Sequence, residues 1–154
     1  MNQIPRLAAG SAATGALALA GCGSSGSSGL SKSQLAAKAD AQCTAYTKAA
    51  TAIPQPKDFA TNPVSAGAYL DKLKPLVAAQ EAAMVALKPD SSAKSLWNQF
   101  VAAGKHTTTL FYDADAKAHA RDRAGITDLE QLAAYKTGTL NPIATQLGAS
   151  SCAK

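Results

Sequence analysis

The chain has 154 residues, enough for one domain, with 47% apolar side chains, only 5% aromatic ones and a formal charge of +5. Alanine dominates the apolar fraction and favours helices, because it has the best helix propensity and loses no side-chain entropy. Strand-like runs are confined to VSAGAYL and LFYD, both inside helical patterns, which excludes a sheet-based fold. The basic residues are scattered singly, without the cluster that a nucleic-acid footprint needs, so no nucleic-acid partner is expected.

The first element is a targeting signal. MNQIPR carries one basic residue, Arg6, and is followed by the uncharged stretch LAAGSAATGALALA over residues 7–20. That stretch is shorter than the ~20 residues that span a bilayer and matches a signal h-region. Leu19-Ala20-Gly21-Cys22 follows at once and resembles the bacterial lipobox. The resemblance implies cleavage after Gly21, a diacylglyceryl group on the Cys22 thiol, and anchoring on the extracytoplasmic face of the cell membrane. An unlipidated signal peptide cut at the small residues Ala18 and Ala20 is the other reading. GSSGSSG, residues 23–29, then serves as a flexible tether with a root-mean-square span of roughly 15 Å. The expected organisation is a signal peptide over 1–21, a lipidated cysteine with its tether over 22–30, and a helical domain over 31–154.

Three cysteines are an awkward number for an exported protein. With Cys22 consumed by lipid, Cys43 and Cys152 form an even pair that an oxidising exterior lets join. No Cys-x-x-Cys spacing marks either as a redox thiol, so a structural disulfide between them is expected.

Four helices follow in order. Ser31 is an N-cap with Gln34 three residues on, a capping box, flanked by Leu30 and Leu35 as a hydrophobic staple. Leu35, Ala39, Cys43, Tyr46, Ala50 and Ile53 make one apolar stripe, which Pro54-Gln55-Pro56 stops. Asn62-Pro63 opens the second helix as N-cap and N1, and its stripe from Tyr69 to Leu87 keeps phase through Pro75, so a kinked continuous helix is expected. The third helix, capped from Lys88–Ser92, runs from Ala93 to about Gly125, roughly 45 Å at 1.5 Å per residue. Thr127 and Glu130 form a second capping box for the fourth helix, which kinks at Asn141-Pro142 and stops at Gly148. The fold class is all-α, an antiparallel four-helix bundle with kinked helices. Its alanine-rich seams permit close helix approach, which argues against a roomy internal cavity.

Catalytic signatures are missing. There is no P-loop, no Gly-x-Ser-x-Gly, no His-Glu-x-x-His and no haem attachment motif, and neither glutamate is followed by the histidine of a di-iron bundle. No enzymatic activity and no cofactor are expected. His106 and His119 lie about 220° apart around one helix and cannot share an ion. Asp115, His119 and Asp122, at i, i+4 and i+7, do share a strip, on the face of Trp97, Phe100 and Phe111. Such a strip can hold a divalent cation through the His119 nitrogen. The plainer reading, preferred here, is a wet helix end where Lys117, Arg121 and Arg123 make surface ion pairs, because three or four fixed ligands are needed and nothing further supplies them. Trp97, Phe100 and Phe111 are read first as core and second as the lining of a groove for a small apolar ligand.

ADAQC, residues 39–43, after LSKSQLAAK, together with the turn IPQPKD and the tail LGASSC, resembles a group of small exported helical proteins of actinobacteria. The resemblance implies secretion and a helical fold and carries no catalytic residues. The expected function is a membrane-anchored extracytoplasmic lipoprotein, a non-catalytic binding or scaffolding module of the bacterial cell envelope. Its contact with the membrane runs through Cys22, and its other partner is not identified. A carrier of a small apolar molecule near Trp97 and Phe111 is the first alternative, and a metal-binding protein using the Asp115, His119 and Asp122 strip is the second.

Overall fold

A computed structural model describes residues 29–154; the signal-like segment, Cys22 and most of the Gly/Ser run lie outside them. The described chain is all-α: α1 Lys32–Thr51, α2 Pro63–Ala86, α3 Lys94–His119 and α4 Ala124–Tyr135 pack together. A π-helical turn, Lys136–Leu140, links α4 to α5, Asn141–Leu147, and a 3-10 turn, Ser150–Ala153, ends the chain. No helix among the described residues is long and apolar enough to cross a membrane.

Local chemistry sets several boundaries. Ser31 accepts from the Gln34 amide while the Gln34 side chain accepts from the Ser31 amide, closing the expected capping box. Leu30 then bonds the backbone of Lys88 and Asp90, tying the entry of α1 to the α2–α3 connection. Asn62 caps α2 by accepting from Val64 N–H, with Pro63 at the first helical position. Asp90 accepts from Ala93 N–H in the turn before α3, and Gly148, with φ of 91°, ends α5 in the left-handed region that favours glycine.

The α3–α4 junction departs from the sequence expectation. α3 ends at His119 instead of near Gly125, because Arg121 adopts a left-handed conformation (φ 59°) and Asp122 N–H bonds back to the Lys117 carbonyl. This is a Schellman-type stop with arginine where glycine usually stands. α4 begins at Ala124, so Thr127 and Glu130 lie inside it and the second capping box does not form. The Asp122 carboxylate accepts from Ala124 N–H instead. Gly125 sits so close to α3 that a Cβ there would lie 2.9 Å from the Ala114 carbonyl oxygen and 3.1 Å from the Ala118 nitrogen.

The interior divides into two clusters. One joins Leu35, Ala39 and Cys43 of α1 to Trp97 and Phe100 at the start of α3, and to Ala144, Leu147 and Cys152 near the C-terminus. The other joins Ala66, Leu70, Leu73 and Val77 of α2 to Phe111 and Ala118 farther along α3, covered by Leu129 and Leu132 of α4. α3 alone contributes large aromatic side chains to both. Cys43 and Cys152 form the expected disulfide, with Cα atoms 5.2 Å apart. Beside it the Asp40 carboxylate accepts from Ser151 N–H at 2.7 Å, so the ADAQC motif holds the tail by two bonds, one covalent.

The bridge spans a sequence separation of 109 residues, for which chain entropy corresponds to about 4–5 kcal/mol. Replacing both Cys43 and Cys152 by serine is expected to lower the urea unfolding midpoint accordingly. Thiol titration of the intact domain should find neither cysteine reactive before reductant is added.

Candidate functional site: an apolar cavity and an acidic clamp

Between the two clusters lies a partly enclosed cavity of about 210 Å³. Its origin is visible along α3. The strip between the bulky Phe100 and Phe111 carries Gly104, Thr107 and Thr108, which leave the space that larger side chains would fill. Phe100 and Phe111 line it, and Val77, Met84 and Tyr46 add apolar wall. The expectation from the alanine-rich seams concerned a roomy internal cavity, whereas this one is small and partly open to the surface. The helices do approach closely, but at Gly125 and Gly67, away from this strip.

The polarity of the lining is uneven. Burial, and then the neighbouring Tyr69, push the Tyr46 hydroxyl above its ordinary pKa. Gln80 and Thr108 offer hydrogen-bonding groups, and Lys105, Lys136, Lys154 and Glu81 also line the cavity. The π-helical turn begins at Lys136 and ends at Leu140, and both residues line the cavity. Trp97 does not line it. Its ring, 2% exposed, belongs to the first cluster and edges a wider, more open depression with Val101 and Lys105. Of the three aromatic residues singled out in the sequence, the structure brings Phe100 and Phe111 to one cavity and leaves Trp97 apart.

The polar strip on α3 is likewise reorganised. Asp115 is 5% exposed and His119 lies one turn on, as the spacing requires, but Asp122 is carried off by the chain reversal at Arg121. Its place is taken by Asp71 from α2. The Lys74 ammonium lies 2.6 Å from Asp115 Oδ2 and 2.8 Å from Asp71 Oδ1, and His119 Nε2 lies 3.1 Å from the same Asp71 oxygen. His119 Nε2 is 3.5 Å from Asp115 Oδ1, which has no hydrogen-bond partner. Nothing in the local sequence pattern announces Asp71; its i, i+3 spacing to Lys74 is an ordinary surface pair. On the neighbouring face, Lys117 pairs with the buried Asp128 of α4 at 2.6 Å. The end of α3 is thus stitched to α2 by one Lys–Asp pair and to α4 by another.

No protein-family model, curated protein or solved structure matches this chain.

The charges of the α2–α3 clamp give it a defined pH window. Hydrogen bonds from Lys74 and then His119 hold the Asp71 carboxyl below its ordinary value, so its stabilising contribution is present above the carboxylate range and disappears as pH falls through the lowered value. The Asp115 carboxylate, then Asp71, raises the Lys74 ammonium above its ordinary value, so that contribution is lost only as pH rises through the raised value. Asp71→Asn is therefore expected to lower the melting temperature at neutral pH and to leave it unchanged in strong acid, where the carboxyl is already protonated. Thermal melts of both proteins across pH check this.

Proposed function

We propose that this chain is a lipid-anchored, extracytoplasmic binding protein of the bacterial envelope, without catalytic activity, whose antiparallel helical domain holds one small, largely apolar molecule between its two clusters. The cavity carries this reading. At about 210 Å³ it exceeds the roughly 150 Å³ that accommodates benzene and falls below the ~300–1,000 Å³ of drug-sized sites. It therefore suits a compound of about ten non-hydrogen atoms, such as a single ring system or a short alkyl chain. Lys105 and Lys136 against Glu81 in the lining favour a ligand with an anionic or polar end.

Gly104 supplies the test. It lines the cavity, and a Cβ there would meet nothing within 4 Å. Gly104→Leu is expected to stabilise the domain by about 0.5–1 kcal/mol through helix propensity, while filling the site. Fluorescence titration with an apolar naphthylamine dye, competed by medium-chain fatty acids, should show saturable binding to the wild type and none to Gly104→Leu. Equal binding by both proteins would place the ligand elsewhere.

The anchoring half of the proposal rests on Leu19-Ala20-Gly21-Cys22 at the end of an h-region. The tether then joins a domain whose first described residues are bonded to the α2–α3 connection. Cys22→Ser, expressed in a bacterial host that processes lipoproteins, is expected to move the chain from the membrane to the soluble fraction. Retention of a lipid mass on that variant would refute lipidation at Cys22.

A further inference from the structure

We infer that Asp71, Asp115 and His119 form a binding site for one divalent transition-metal ion of the Zn²⁺ kind, clamped between α2 and α3. The three candidate ligand atoms, one carboxylate oxygen from each aspartate and a ring nitrogen of His119, lie within 4.8 Å of one another. His119 Nε2 is 3.1 Å from Asp71 Oδ1 and 3.5 Å from Asp115 Oδ1. An ion with bonds of about 2.0–2.2 Å in tetrahedral geometry has ligand–ligand edges of about 3.3–3.6 Å, so both edges at the histidine are close to those that coordination demands. One imidazole with two carboxylates suits zinc better than calcium or magnesium, which prefer all-oxygen shells. The fourth position would be water.

An acidic cluster alone would not justify a metal. The second observation is Asp115 Oδ1, an oxygen of a buried carboxylate that has no hydrogen-bond partner and lies toward His119. Lys74 neutralises Asp115 through the other oxygen, Oδ2, and so leaves the inner one unused. A cation bonded to Oδ1 would satisfy it, as buried polar atoms ordinarily are. The strip Asp115, His119, Asp122 fails as a site because it offers only two of the three ligands together. Asp71 from the neighbouring helix completes the set. Lys74 opposes the ion by like charge and also bonds Asp71 Oδ1, one of the candidate ligand atoms, at 2.8 Å, so it competes with the ion and tunes the affinity down.

The purified full-length chain, disulfide intact, can be tested by equilibrium dialysis against Zn²⁺ and by titration with Co²⁺, whose visible absorption reports tetrahedral coordination. One ion per chain is expected, with a rise in melting temperature when Zn²⁺ is added. Asp71→Asn and His119→Ala should each weaken binding at least about tenfold, and Lys74→Met should tighten it about tenfold. Asp122→Asn and His106→Ala should leave it unchanged. Asp71 is exposed, so Asp71→Asn provides a folded test even if substitution of the buried Asp115 unfolds the domain. Absence of stoichiometric zinc from both the wild type and Lys74→Met would overturn the proposal. So would unchanged affinity in a folded His119→Ala.

Discussion

Helix α3 places its large aromatic side chains at two separated levels of its inward face, Trp97 and Phe100 early and Phe111 later, and each level must be covered. The constraint follows from hydrophobic burial, at roughly 25 cal/mol per Å² of apolar surface removed from water. α1, Met84 near the end of α2 and the C-terminal segment surround the first level, while α2 and α4, with Tyr46 and Ala50 of α1, surround the second. The intervening turns carry glycine and threonine, so the two clusters do not merge, and the space between them becomes the cavity. α3 is thus the helix whose large aromatic side chains reach both clusters, and the small residues between them open the cavity.

The covalent and ionic links act at the two ends of this arrangement. At the first cluster, Cys43–Cys152 and Asp40–Ser151 fasten the tail to α1. The 3-10 turn has only four residues and could not hold itself in place by local bonds alone. At the second, Lys74–Asp115 and Lys117–Asp128 connect α3 to its two neighbours. Two buried carboxylates with one lysine each are costly to desolvate, and such pairs add little net stability compared with apolar packing. Their consequence here is to fix which residues of α2 and α4 face the end of α3. That registration brings Asp71 beside His119.

Signals written in neighbouring residues were legible. Ser31 with Gln34, Asn62 with Pro63, and Gly148 each act within one turn, through bonds whose partners are fixed by spacing alone, and each forms as expected. The pairing of Cys43 with Cys152 followed from parity once Cys22 was assigned to lipid. Thr127 and Glu130 carry the same spacing as a capping box, yet the helix starts earlier, because Asp122 caps Ala124 and Gly125 is drawn against α3. The stop before them was hidden because a left-handed arginine at position 121 carries no compositional mark.

The amino-acid sequence by itself determined the helical class, the N-terminal boundaries of α1 and α2, the glycine stop after α5 and the pairing of the cysteines. These depend on propensity, periodicity, spacing and parity, all short-range or countable properties of the chain. Tertiary structure alone decided where α3 ends, which carboxylate completes the cluster around His119, and that a cavity separates the clusters. Each of these depends on residues distant in sequence meeting at one place: Asp71 with His119, Gly125 with Ala114, and Phe100 and Phe111 across a gap that small side chains leave open. Alanine-rich helices can pack closely. Whether they do is set by the few bulky residues that hold them apart.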